Sequence, residues 1–233
     1  GATEAHGVAP GCTPLYMTCG PWFSDAAIDA WLTTARLNNA AVLNCSWMCE
    51  ADHWVMSVEL EEAISRNVRL GRGGWGMVMV FAAGNDARPV VGYPGYRNDL
   101  PRHPEVLGVG AIDHRGERAA YSNVGKEISL FAPSSGDGIG LLTTGGGAAY
   151  CGFGGTSGAA PIVAGVAALV MTANKSLCAQ CVREVLRETA RALPDCTLPA
   201  TPGATYPVRL VDAEAAVRKA WQRTCHHPRA TVV

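Results

Sequence analysis

A serine set among glycines at the head of a long apolar run is the feature of this sequence best suited to chemistry: Gly154-Gly-Thr-Ser157-Gly-Ala-Ala-Pro161-Ile-Val-Ala-Gly165. In the first turn of a helix the backbone N–H groups lack intrahelical acceptors, and the helix dipole favours negative charge. A hydroxyl nucleophile placed there benefits, because acyl transfer develops an oxyanion beside it. Flanking glycines let a substrate backbone approach closely. Thr156 or Ser157 could equally serve as a plain helix cap, and this segment alone divides evenly between the two readings. Phe81-Ala-Ala-Gly-Asn85 supplies a second candidate. An Asn just past a buried parallel strand lies where such sheets hold ligands, and its amide N–H suits an oxyanion donor, worth roughly 3–4 kcal/mol. Taken alone, an ordinary turn Asn is the commoner case. Gly7-Val-Ala-Pro10 is a third, weaker segment.

The elements that must position these residues alternate. Thr13–Cys19 reads as a short strand, and Ser24 caps a helix to Leu37 with Ile28, Trp31, Leu32 and Ala35 on one face. Ala40–Cys45 reads as a strand buried on both faces. A helix over Val55–Arg69, with Val58, Ala63 and Ile64 inward, ends at Gly71-Arg-Gly-Gly-Trp-Gly76. Met77–Ala82 and Val106–Ile112 are continuous apolar strands. A Gly-rich stretch, Gly136–Gly155, precedes the helix that Ser157 opens, and helices over Cys181–Leu193 and Asp212–Gln222 close the chain. Alternating strands and helices of this kind predict a mostly parallel sheet covered by helices, in one domain over residues 1–233.

Composition narrows the function. The 233 residues are 48% apolar and 17% charged with a net charge of -1, enough for a substantial core. No basic run suggests nucleic acid, and the Ala159–Met171 apolar stretch is short for a bilayer, so neither nucleic acid nor a membrane span is expected. The nine cysteines leave at least one unpaired within the chain. Cys178-x-x-Cys181 followed by Cys196, Cys225, His226 and His227 has the look of zinc ligands, but a second short-spaced cysteine pair is lacking. Surface disulfides, if the chain is secreted, are the favoured reading, with buried apolar thiols such as Cys45 the plain alternative.

Taken in order, these segments resemble the subtilisin-like (subtilase) family over essentially the whole chain. Ala41-Val-Leu-Asn-Cys-Ser-Trp47 is similar to its substrate-edge strand. Gly92-Tyr-Pro94 and Leu107-Gly-Val-Gly-Ala-Ile-Asp113 are similar to its middle. Arg118-Ala-Ala-Tyr-Ser-Asn-Val-Gly125 and Ile128-Ser-Leu-Phe-Ala-Pro133 match the approach to the nucleophile. The glycine-rich turn before the Asn85 strand is closest to bacterial members and, more loosely, to kexin-like ones. The resemblance implies a three-layer α/β/α fold with a mostly parallel central sheet. It also implies a serine endopeptidase in which Ser157 is the nucleophile, and Asn85 with the Ser157 N–H forms the oxyanion hole. Ser46, Trp47, Met48, Ala83, Gly84 and Thr156 would bind a peptide or protein substrate. No metal and no cofactor is expected; no acid-rich calcium loop is present.

The departures from the family are specific. Its order is Asp, then His, then Ser, and the Asp strand and His helix should precede Gly7-Val-Ala-Pro10. His6 lacks the His-Gly-Thr context, Asp25 and Asp29 fall in the first helix, and His53, His103, His114, His226 and His227 read as loop or tail residues. The triad His and Asp are therefore expected upstream or on another chain, with an N-terminal fragment of the same protein as partner, an apolar gap where it packs, and little activity without it. Met48 stands where the family has a glycine, and Glu50 and Asp52 could favour a basic substrate side chain, although an ordinary exposed loop is the commoner reading. The alternatives are a catalytically dead binding protein on the same fold, and an enzyme that passes the acyl group to an amine.

Overall fold

The computed structural model describes residues 6–20, 24–47, 53–145 and 148–231. In chain order the elements are α1 (Asp25–Leu37), β1 (Val42–Cys45), β2 (His53–Trp54), α2 (Val58–Gly74), β3 (Val78–Ala82), β4 (Arg97–Asn98), β5 (Val106–Ile112), β6 (Leu130–Pro133), β7 (Leu141–Gly145), β8 (Ala148–Phe153), α3 (Thr156–Ala173), α4 (Ala179–Thr189), β9 (Arg191–Thr197), β10 (Thr205–Leu210) and α5 (Ala213–Gln222). The main sheet runs β1-β3-β5-β6-β10-β9. Its first five strands are parallel, and β9 returns antiparallel on β10.

Period-two alternation sorts the strand side chains into two helical layers. Val78, Val80 and Ala82 of β3, with Leu107, Val109 and Ala111 of β5, pack under α3, α4 and α5. Met79 and Phe81 face the other way, with Leu43 and Cys45, onto α1 and α2. Burial on both faces is why β3 and β5 read as unbroken apolar runs. The result is the expected three-layer α/β/α sandwich. α3 is long and apolar enough by length to cross a bilayer, but here it is a core helix lying on β1, β3, β5 and β6.

Several local expectations need correction. β1 is an edge strand with Asn44 exposed, so only Leu43 and Cys45 are buried. Residues 13–20 pair with no strand and stay irregular. Val58 points outward at 66% exposure, because Ser57 is the N-cap and the helical phase then turns Leu60, Ala63, Ile64 and Val68 inward. The helix expected over Cys181–Leu193 stops at Thr189, and β9 follows. Pro194 accounts for the stop, since in a continued helix its ring would clash with the Ala190 carbonyl and it has no N–H to donate there. The Gly-rich stretch folds as the β7–β8 hairpin.

Candidate active site

Ser157 is the second residue of α3, and the turn that presents it is clamped from three sides. Gly155 precedes the helix at φ +70°, a left-handed conformation that disfavours any side chain. Its carbonyl accepts from the Ser134 hydroxyl at 2.6 Å, and its N–H donates to the Ser135 hydroxyl at 3.1 Å. The Tyr121 hydroxyl donates to the Ser135 carbonyl at 2.9 Å.

Asn85 sits just beyond β3 and caps α3 from outside. Its Oδ1 accepts from the Thr156 N–H at 2.8 Å and from the Thr156 hydroxyl at 2.9 Å. Thr156 is fully buried, and its hydroxyl also accepts from the Gly84 N–H at 3.1 Å, tying the β3 loop to the helix start. The Asn85 Nδ2 and the Ser157 backbone N–H have no hydrogen-bond partner among the described residues. A Cβ at Gly155 would lie 3.2 Å from that Nδ2, so the amide passes directly over the turn before Ser157. Two uncommitted donors beside a serine hydroxyl at a helix N-terminus form an arrangement able to receive a developing oxyanion.

Ser46 is the other partner of Ser157. The Ser157 hydroxyl donates to the Ser46 carbonyl at 3.2 Å, and the Ser46 hydroxyl donates to the Ser157 carbonyl at 2.9 Å. Among the described residues no imidazole or carboxylate bonds the Ser157 hydroxyl. A neutral carbonyl orients the hydroxyl proton but does not remove it, so the described residues lack a general base here. His103 is buried in a turn where its Nδ1 accepts from the Glu105 N–H, and burial pushes its pKa down.

The remaining expected substrate residues divide. Trp47 is half-buried and packs edge-to-face on Trp31 and Phe81, with centroids 5.9 and 5.5 Å away. Ala83 and Gly84 are buried with their backbone groups engaged: Ala83 bonds the Val109 carbonyl and the Asn123 amide, and the Gly84 carbonyl accepts from the Asn123 N–H. In this geometry both residues hold the Asn85 loop. Met48, Glu50 and Asp52 lie outside the described residues.

Asn123 is the organising residue that sequence reasoning passed over. Fully buried, it donates through Nδ2 to the Ala83 carbonyl and the Tyr96 hydroxyl and accepts through Oδ1 from the N–H groups of Asp86 and Arg88. A polar Ser122-Asn123 pair inside an otherwise apolar, turn-rich segment was the available signal.

Beside this site the sheet edge is open. A cavity of about 950 Å³ lies between residues 7–19, α1, β1 and α3. Val8, Leu15, Val42, Leu43, Pro161 and Ala164 help line it. Among the described residues the outer edge of β1 has no strand partner, and Val8, Leu15 and Tyr16 are exposed nearby at 37%, 47% and 89%. Val8 packs against α3 where Gly165 leaves room: a Cβ there would come within 2.6 Å of the Val8 Cβ.

Comparison with known proteins gives a consistent result. The model of the subtilase family (peptidase S8) matches residues 1–214. Alkaline elastase YaB from a Bacillus strain is 35% identical over 162 residues, which are 70% of this chain and 37% of that protein. Subtilisin DY from Bacillus licheniformis is 37% identical over 124 residues, covering 52% of this chain and 42% of the relative. The chain thus spans well under half the length of these relatives. Among solved structures, a protease from Pseudoalteromonas arctica superposes with a TM-score of 0.65 at 27% identity, covering 84% of this chain and 59% of the other. The fold of a prenylagaramide maturation protease matches with a TM-score of 0.65 at 23% identity, over 91% and 73% of the two chains.

Proposed function

Because this chain belongs to the subtilase family, a family of serine proteases, we propose that it is the nucleophile-bearing part of a serine endopeptidase domain. Ser157 attacks, and the general-base His with its orienting Asp comes from polypeptide that packs into the cavity beside β1. The observation that supports this reading is a pair of donors with no partner among the described residues: the Ser157 N–H, and Asn85 Nδ2 close to the Gly155 turn that presents the Ser157 hydroxyl.

In the assembled domain the incoming imidazole takes the Ser157 hydroxyl proton as the oxygen bonds to the peptide carbonyl carbon. The carbonyl oxygen gains charge and accepts from Asn85 Nδ2 and the Ser157 N–H. The C–N bond then breaks, the amine leaves with the proton from the imidazole, and an ester remains on Ser157. Water, deprotonated by the same base, hydrolyses the ester and restores the hydroxyl. Loss of the base leaves only about 10³–10⁴-fold acceleration over water, from the oxyanion hole and binding.

Support for the partner segment is geometric. An unpaired strand edge with exposed apolar side chains over a cavity is a place where another strand adds. The cavity is lined by Pro161 and Ala164 of α3 and by Ser46, which bonds Ser157, so a helix laid there would lie beside the turn that carries the nucleophile. The test is to refold the chain with a polypeptide carrying a strand that ends in Asp and a His-Gly-Thr helix, then treat it with a fluorophosphonate probe and with peptide. Labelling of Ser157 and peptide hydrolysis in the mixture, at most trace labelling alone, are expected. No labelling in any combination would make the chain a binding scaffold, and an acyl product lighter by one water than the hydrolysed fragment, with the same leaving peptide released, would make it a macrocyclising enzyme.

A further inference from the structure

Far from Ser157 along the fold, the cysteine-rich end of the chain gathers. Cys178 is the N-cap of α4, and Cys181 lies one turn on; both are buried. Cys225 and His227 follow α5 on the tail and are half-buried. The sulfurs of Cys178, Cys181 and Cys225 all lie within 4.8 Å of one another. A His227 ring nitrogen and a Glu184 oxygen lie within the same distance of the Cys181 sulfur and of each other.

We propose that Cys178, Cys181, Cys225 and His227 form a structural zinc site. The donor set is three thiolates and an imidazole, one of the standard tetrahedral zinc sets, with a C-x-x-C pair at a helix N-terminus. His227 Nε2 sits 3.1 Å from Glu184 Oε1, so with Nε2–H donating, Nδ1 keeps its lone pair for a metal. A disulfide between Cys181 and Cys225, whose sulfurs are 2.8 Å apart, would use two of these thiols and leave the third, Cys178, reduced within 4.8 Å of them. In a tetrahedral site with Zn–S near 2.3 Å the sulfurs stand about 3.8 Å apart, so this pair opens by roughly 1 Å on binding. A cavity of about 400 Å³ is lined by Cys178 and His227 together with Gln180 and Arg183, so two of the four donors border open space. Binding releases the three thiol protons to solvent.

Such a site would staple the tail. Beyond it the Ala230 N–H donates to the Gly74 carbonyl at 2.9 Å, and Arg229 Nε donates to the Gly73 carbonyl at 2.6 Å. Gly74, at φ +92°, leaves no room for a Cβ under Ala230. Zinc at the cysteines would therefore lock α4, the tail and the turn entering β3 into one unit.

The experiment is Co²⁺ titration of the reduced, folded chain, followed by alkylation with and without Zn²⁺. One equivalent of Co²⁺ with tetrahedral d–d and thiolate charge-transfer bands is expected. Zn²⁺ should protect Cys178, Cys181 and Cys225, while exposed Cys12 and Cys151 stay reactive. Cys12→Ser should bind normally, and Glu184→Gln should bind about 10–100-fold more weakly with the same spectrum. Absence of metal uptake by the folded, reduced protein, or a Cys181–Cys225 disulfide whose reduction opens no metal site, would overturn the proposal. Both readings need only the wild-type chain.

Discussion

Ser157 and Ser46 are reciprocally bonded, each hydroxyl donating to the other's backbone carbonyl, at 3.2 and 2.9 Å. The second bond has a cause in the helix. In α3 the Ser157 carbonyl would accept from residue 161, but that residue is Pro161 and has no N–H. The Ser46 hydroxyl takes its place. Ser46→Ala should cost about 0.5–1.5 kcal/mol of stability, the net worth of one hydrogen bond to a part-buried carbonyl. In a Pro161→Ala background, where the helix supplies its own N–H, the same change should cost less than half as much. Urea unfolding of the four proteins measures the coupling; equal costs in both backgrounds would refute the substitution of one donor for the other.

Asn85 does two things through two atoms: Oδ1 caps Thr156, and Nδ2 is open toward the Ser157 turn. Asn85→Asp separates them. It keeps an acceptor at the helix N-terminus, where negative charge is favoured, and removes the donor. Stability should hold or rise, while the phosphonylation rate of the assembled domain falls about 10²–10³-fold, the size of effect expected when one oxyanion donor is removed. Thermal melting and probe kinetics on the same samples check both halves.

Gly155→Ala forces a Cβ into a left-handed residue and to 3.2 Å from the Asn85 amide. The backbone cost is about 1–2 kcal/mol. Labelling of Ser157 should drop more than the stability loss accounts for, because the donor is displaced as well. Urea unfolding and probe kinetics of this variant give the two numbers.

Acid should weaken the fold through Asp99. Burial opposes its charge, but the guanidiniums of Arg102 and Arg97 and the Met56 N–H outweigh that and hold its carboxyl at about 2. A folded pKa below the unfolded value of 3.8 means the stabilisation is complete above about pH 4 and disappears as pH falls through about 2. The amount is about 2 kcal/mol. Asp99→Asn should be less stable at neutral pH and show a flatter stability profile between pH 4 and 2, read by urea unfolding at each pH.

What the sequence made legible follows from range. β3 and β5 were readable because both faces are buried, and α1 because Ser24 caps it and Ile28, Leu32 and Ala35 repeat at helical spacing. The β9–β10 hairpin escaped because Arg191-Ala-Leu193 continues a helical pattern; Pro194, and Pro207 at the register shift of β10, were the visible signals against a helix. The apolar letters of β1 suggest a doubly buried strand and do not reveal that, among the described residues, it lies at the edge of the sheet with Asn44 exposed. Ser157 and Asn85 stand in local motifs, whereas the Ser46 bond joins residues 111 apart, and no local pattern encodes it. The role of Asn123 was hidden for the same reason.

The proposed activity requires an oxyanion held by Asn85 and the helix start. A crystal structure of the assembled domain after fluorophosphonate treatment tests that most directly. Phosphorus bonded to Ser157 Oγ, with one phosphonyl oxygen roughly 2.7–3.1 Å from both Asn85 Nδ2 and the Ser157 N–H, is the expected result. An adduct on another residue, or a phosphonyl oxygen turned to solvent with Asn85 facing away, would contradict it.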